Sequence, residues 1–108
     1  MAAAQQKAQQ LIDDNAVVVF SKSYCPYCKN SKRILDDLKA KYEAIELDQV
    51  DDGADIQDAL HKLTGQRTVP NIFIGRKHIG GNSDLENVKK NGKDGKSLEE
   101  LLKEAGAL

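Results

Sequence analysis

The chain's two thiols, Cys25 and Cys28, stand in the spacing Cys-x-x-Cys within Ser23-Tyr24-Cys25-Pro26-Tyr27-Cys28-Lys29-Asn30-Ser31-Lys32. Two thiols so placed serve thiol–disulfide exchange, part of a metal site, or a short structural bridge. Exchange requires a thiolate, and a free cysteine with a pKa of ~8.5 is mostly protonated at neutral pH, so a redox site must favour ionisation of one thiol. Pro26 suits the first position of a helix, where its missing N–H would be unpaired anyway. The positive end of that helix and its free N–H groups then point at Cys25, with Lys22 just upstream and Lys29 one turn on. Cys28, one turn later and facing inward, lacks most of this support. The asymmetry assigns attack to Cys25 and resolution of the mixed disulfide to Cys28.

The flanking segments must hold this pair. Ala16 to Phe20 is short and rich in Val, which predicts a strand buried on both faces and central in its sheet. A helix is expected from Pro26 to about Tyr42, with Cys28, Ser31, Leu35, Leu38 and Tyr42 on one stripe and Ile34 at its edge. Upstream, Ala4, Ala8, Leu11 and Ile12 share one face of a first helix, expected to end near Asp14-Asn15 through the left-handed conformation that Asn tolerates.

Downstream, Glu43 to Leu47 alternates as a second strand, with Ile45 and Leu47 on one face. Asp51 and Asp52 are expected to cap a helix with inner face Ile56, Ala59, Leu60 and Leu63, stopped by Gly65. Ile72-Phe73-Ile74 and Lys77-His78-Ile79 flank Gly75-Arg76, a Gly-first pair that predicts a type II′ hairpin of antiparallel strands. Ser83 and Glu86 have capping-box spacing for a helix carrying Leu85 and Val88 and ending at Asn91-Gly92. Ser97 and Glu100 repeat that spacing before a last helix with Leu98, Leu101, Leu102 and Ala105 inward. The expectation is one α/β domain over residues 1–108, a four-stranded sheet covered by helices.

Composition narrows the function classes. At 108 residues the chain can bury a core without disulfide staples. A charged fraction of 31% with net charge −1 gives no broad basic surface for nucleic acid. No apolar run reaches membrane-spanning length, and the N-terminal Met-Ala-Ala-Ala-Gln-Gln-Lys-Ala-Gln-Gln has neither a secretory core nor an Arg-rich transit character. A soluble cytoplasmic protein is expected, in which paired cysteines are catalytic or metal-binding before they are scaffolding.

Ser-Tyr-Cys-Pro-Tyr-Cys after a buried strand, Thr68-Val69-Pro70, and Gly80-Gly81-Asn82-Ser83-Asp84 stand in the order and spacing of a dithiol glutaredoxin, which the chain resembles over nearly its whole length. Thioredoxins carry Trp-Cys-Gly-Pro-Cys, and this chain has no Trp. The resemblance implies the thioredoxin fold, a four-stranded mixed sheet flanked by about five helices, and glutathione as co-substrate with no metal. Cys25 would attack glutathionylated proteins, and Cys28 would resolve mixed disulfides formed with protein disulfides.

By the same resemblance, Lys22, Gln66 and Arg67 would face the glycine carboxylate of glutathione. Thr68, Val69 and Pro70 form the second motif, Val69 offering its extended backbone to the tripeptide. The family's proline at this position is cis, which the sequence does not display. Gly81, Asn82 and Ser83 would receive the γ-glutamyl carboxylate at a helix entrance, Asp84 its ammonium, and Tyr27 would line the groove. The implied partners are glutathione and disulfide-containing or glutathionylated proteins, with no nucleic acid or membrane, for a monomer.

Other readings of these residues are weaker. Zinc would need four ligands, and His61 and His78 lack paired spacing. A structural bridge would close only a tiny loop in an adequate domain. An iron–sulfur cluster held by Cys25 and glutathione is the alternative function, disfavoured because Pro26 follows Cys25 where cluster-binding relatives carry Gly or Ser. Asp48, Asp52 and Gly53 match parts of a calcium loop, but Val50 and Ala59 stand where ligands belong, so a solvated capping stretch is expected. His61 and His78 are expected at the surface or rim, Tyr24 at least as much in packing beside the strand end as in substrate contact, and Gly80-Gly81 where a ligand approaches closely.

Overall fold

The computed structural model describes residues 2–108. Its elements run α1 (Ala2–Asp14), β1 (Val17–Ser21), α2 (Pro26–Asp37), β2 (Glu43–Glu46), α3 (Gly53–Thr64), β3 (Asn71–Ile74), β4 (Lys77–Gly80), α4 (Asn82–Asn91) and α5 (Leu98–Ala105). The sheet order is β2-β1-β3-β4, with β1 parallel to β2 and antiparallel to β3, and β3 antiparallel to β4. This is the expected thioredoxin-like arrangement, and β1 is central and buried along its length.

The period-two geometry of β1 divides the core into two layers. Val17 and Val19, with Ile72 and Ile74 of β3, pack on Ile34 and Leu35 of α2, Leu85 and Val88 of α4, and Leu98 and Leu102 of α5. Val18 and Phe20, with Phe73, face the other way against Ala4, Ala8 and Ile12 of α1 and Ile56, Ala59 and Leu60 of α3. Phe20 and Phe73 meet edge to face at 6.0 Å, a favoured aromatic geometry. By the same alternation Ser21 lies on the α2 side.

Several expectations are corrected locally. α2 stops at Asp37, not near Tyr42, because Lys39 adopts a left-handed φ of 59°. Its amide donates to Asp36 O and that of Ala40 to Leu35 O, a Schellman closure built without glycine. Leu38, Ala40 and Tyr42 still pack against the core. α1 ends through the Asn15 side chain, whose Nδ2 donates to Leu11 O at 2.8 Å, not through a left-handed turn. Leu63 is 46% exposed, since the covering elements protect α3 only through Leu60.

Gly75 and Arg76 both have positive φ, 57° and 67°, so the hairpin is of type I′, not II′. Asp52 is the N-cap residue of α3 without a capping bond, because its carboxylate pairs with Lys7 at 2.9 Å. α4 begins one residue before Ser83, and Asp84 rather than Glu86 reaches back, accepting from the Gly81 amide at 2.8 Å. Ser97 and Glu100 form the reciprocal capping box as expected.

Candidate active site

Cys25 is the N-cap residue of α2, in extended conformation, and its sulfur accepts from the Cys28 amide at 3.4 Å. Its own amide donates to Lys22 O at 3.0 Å, so a tight turn leads from the end of β1 into the helix. The sulfur sits where Ser, Thr or Asp oxygens usually cap, receiving an otherwise orphaned N–H. On its other side Cys25 Sγ lies 3.9 Å from Val69 O. The Val69–Pro70 peptide is cis. Both cysteines are free thiols.

Cys28 is fully buried on the inward stripe of α2, as helical phase predicts. Burial pushes its thiol up from the ordinary cysteine value, opposed by the Lys22 backbone and the Ser21 hydroxyl, while Cys25 adds to the rise. The two thiols are thus separated by burial.

The turn before Cys25 is anchored from the turn that follows β2. Ser23 donates its amide to Asp48 Oδ1 at 3.0 Å and its hydroxyl to Asp48 Oδ2. These bonds hold the Asp48 carboxyl below the usual carboxylate range. Asp48, exposed as expected, thus clamps the cysteine turn rather than capping a helix.

Two hollows meet at Thr68 and Val69 beside Cys25. One, of about 510 Å³, is lined by Lys22, Tyr24, Cys25, Pro26, Gln57, Arg67, Thr68 and Val69. The other, of about 550 Å³, is lined by Tyr27, Gln66, Thr68, Val69, Pro70, Gly81, Asn82, Ser83, Asp84 and Glu86. Apart from the buried Cys28, each residue read from the sequence as a site residue lines one or other of these two hollows. One end of the trough carries the cations Lys22 and Arg67, the latter 2.9 Å from Asp58. The other end is the entrance of α4, where backbone N–H groups favour an anion.

Two assignments change. Gln66 does not join Lys22 and Arg67: it lies at the α4 end, and its Nε2 donates to Thr68 O at 3.1 Å and Pro70 O at 2.9 Å, bracing the proline loop. Asn82 turns its side chain into the α2–α4 contact, where Oδ1 accepts from Asn30 at 2.9 Å and from the buried Ser31 hydroxyl at 2.8 Å. Its part in the trough is its place in the first turn of α4.

The sequence reading missed Gln57, which lies with Lys22 and Arg67 and donates to Arg67 O at 2.7 Å. It also missed Glu86, and it favoured packing at least as much as substrate contact for Tyr24, which is 67% exposed on the trough wall. The position of Gln57 beside buried Ile56 placed it on the flank of α3, and that phase was the available signal.

Gly80 has φ 122°, and a Cβ there would lie 2.3 Å from Asp84 Oδ2, so its glycine serves the turn into α4. Gly81 opens into the trough. His78 is half-buried rather than at the rim, with Nε2 2.8 Å from Asn71 Oδ1 and its ring beside Phe73. Burial pulls its pKa down. Among the described residues no group of three or more His, Cys, Asp or Glu is placed to hold a metal ion, and no helix is long and apolar enough to cross a membrane.

The glutaredoxin family model matches residues 17–79. Glutaredoxin-C2 of Arabidopsis thaliana is 52% identical over 105 residues, covering 97% of this chain and 91% of that protein. A glutaredoxin of Ricinus communis is 53% identical over 105 residues, covering 97% and 99%. A crystal structure of a buckwheat glutaredoxin–glutathione complex superposes with a TM-score of 0.90 at 51% identity, covering 99% of this chain and 94% of that one.

Proposed function

We propose a two-route reaction from the premise that the chain belongs to the glutaredoxin family, the glutathione-dependent thiol–disulfide oxidoreductases. In the monothiol route the Cys25 thiolate attacks the glutathione sulfur of a glutathionylated protein, and the client thiolate leaves. A second glutathione then attacks the bound glutathione sulfur, forming glutathione disulfide and freeing Cys25. In the dithiol route Cys25 attacks a protein disulfide, and Cys28 attacks Cys25 Sγ to release the client. The observation that carries this is the N-cap position of Cys25 on the trough against the complete burial of Cys28.

The trough suits a peptide anionic at both ends. The glycine carboxylate faces Lys22 and Arg67, with Gln57 beside them, and Val69 offers its backbone in the middle. The γ-glutamyl carboxylate takes the first turn of α4 at Gly81, Asn82 and Ser83, and its ammonium faces Asp84. Thr68, Pro70, Tyr27 and the braced Gln66 shape the walls. Clients are glutathionylated or disulfide-bearing proteins, met by one monomeric domain in the cytoplasm, independently of nucleic acid and membranes. The balanced charge and the paired cysteines without need of scaffolding support that setting.

Glutathione-coupled turnover of Cys25→Ser and Cys28→Ser tests the reading. Cys25→Ser should abolish removal of glutathione from a glutathionylated peptide, whereas Cys28→Ser should keep it and lose chiefly protein-disulfide reduction. Equal loss in both variants would refute the division of roles.

A further inference from the structure

The cationic end of the trough is less positive than its two cations suggest. α3 carries Gln57 and Asp58 side by side, and both engage Arg67. Gln57 Nε2 donates to the Arg67 backbone oxygen at 2.7 Å, which holds the main chain. Asp58 Oδ1 lies 2.9 Å from Arg67 Nη1, an ion pair without the alignment of a hydrogen bond. That oxygen is shut off from water and has no hydrogen-bond partner among the described residues, so the guanidinium charge is what compensates it. Lys22, by contrast, makes no ion pair among the described residues.

We infer that Asp58 is a positioning residue that keeps Arg67 at the trough and, by its own charge, limits how tightly the glycine carboxylate of glutathione is held; this rests on the placement of glutathione proposed above. Two carboxylates compete for one guanidinium when glutathione arrives. Moving Arg67 wholly onto the ligand would leave Asp58 Oδ1 shielded and uncompensated, which is costly. Arg67 therefore stays with Asp58 and offers the ligand its remaining N–H groups, with its charge partly neutralised.

The pair is half-open to solvent, with Arg67 61% and Asp58 49% exposed, and such a pair adds little to stability by itself. Its consequence lies at the ligand. Lys22 then supplies the unshared positive charge at this end, and Arg67 supplies direction more than attraction. The same restraint applies to glutathione disulfide, which carries the same carboxylates and must leave after each monothiol cycle.

Asp58→Asn separates position from charge, because its amide oxygen can still face Arg67 while the charge is gone. With glutathione saturating, KM for an otherwise uncharged glutathionylated peptide should fall about threefold to tenfold at low salt, and the gap to wild type should narrow toward about 0.3 M salt. In an Arg67→Gln background, Asp58→Asn should leave KM unchanged. A mixed disulfide made with glutathione whose glycine carboxylate is an amide should be turned over alike by wild type and Asp58→Asn, which also shows that the variant is folded. An unchanged or raised KM in Asp58→Asn, or the same fall in the Arg67→Gln background, would overturn the role of Asp58. A wild-type KM that does not distinguish the acid from the amide would instead overturn the placement of glutathione, and the inference with it.

Discussion

Adjacent glycines at the α4 entrance should respond to the same substitution in opposite ways. Gly80 has φ 122°, and an alanine Cβ there would sit 2.3 Å from Asp84 Oδ2 and 2.7 Å from its Cγ. The carboxylate cannot yield without losing its bond to the Gly81 amide, which begins α4. The forced backbone costs about 1–3 kcal/mol, and the lost charged hydrogen bond about 1.5 kcal/mol at this exposed site. Gly80→Ala should therefore lose roughly 2.5–4.5 kcal/mol of stability, lowering Tm by about 10–30 °C. Gly81 has φ −93°, and its alanine Cβ would meet Pro70 O at 3.6 Å and the Asp84 and Gln66 side chains at 3.9 Å, all ordinary contacts. Gly81→Ala should stay within about 0.5 kcal/mol of wild type. Its methyl enters the trough, so KM for a glutathionylated peptide should rise about tenfold, equivalent to about 1.4 kcal/mol. Urea titrations and steady-state kinetics on both variants decide. A stable Gly80→Ala protein would refute the clash, and an unchanged KM for Gly81→Ala would refute the ligand's path.

Two further outcomes test what holds the trough. Asn82→Ala removes the acceptor of the buried Ser31 hydroxyl and should cost about 1–3 kcal/mol, measured by the urea midpoint; a value within error of wild type would show that the α2–α4 tie is idle. Asp48 is held below the ordinary carboxylate range in the fold, so its stabilising contribution is present above that range and is lost as pH falls through it. Asp48→Asn should flatten the fall of the urea midpoint between about pH 5 and pH 3, and an unchanged slope would refute the clamp on Ser23.

The features legible from sequence are those set by neighbours in the chain. Helical phase alone placed Cys28 inward and Cys25 at the helix entrance, and the Val-rich run before them became the central strand. What escaped depends on distant partners or on backbone conformations that carry no residue signature. Lys39 takes the left-handed position that Gly or Asn normally advertises, so the end of α2 had no marker. Gly75-Arg76 fits either primed turn, and only the φ of Arg76, whose Nε donates to Asp13 O, decides between them. Gln66 and Gln57 are the same residue type on either side of a helix end. Only the packing of α3 shows that Gln57 reaches the cationic end while Gln66 braces the proline loop. Asp48 looked like part of a capping stretch because Ser23, the group it holds, lies in the loop after another strand.

The cap at Cys25 bears on turnover as well as on attack. A thiolate is a strong acceptor for the Cys28 amide, whereas the neutral sulfur of a mixed disulfide is a weak one, so every covalent adduct on Cys25 weakens the start of α2. Loss of a cap costs about 0.5–2 kcal/mol, which favours the freed thiolate over the adduct by about twofold to thirtyfold. The helix cap therefore makes Cys25 a better leaving group. In the monothiol route departure from glutathione is as necessary as the first attack, since an adduct that lasted would stop the cycle. Cys28 has no such cap and lies in the core, so it can compete for Cys25 only when its proton is taken. Burial of the second thiol thus leaves time for glutathione to act on the first, and the division between the two routes is set by how fast Cys28 is deprotonated.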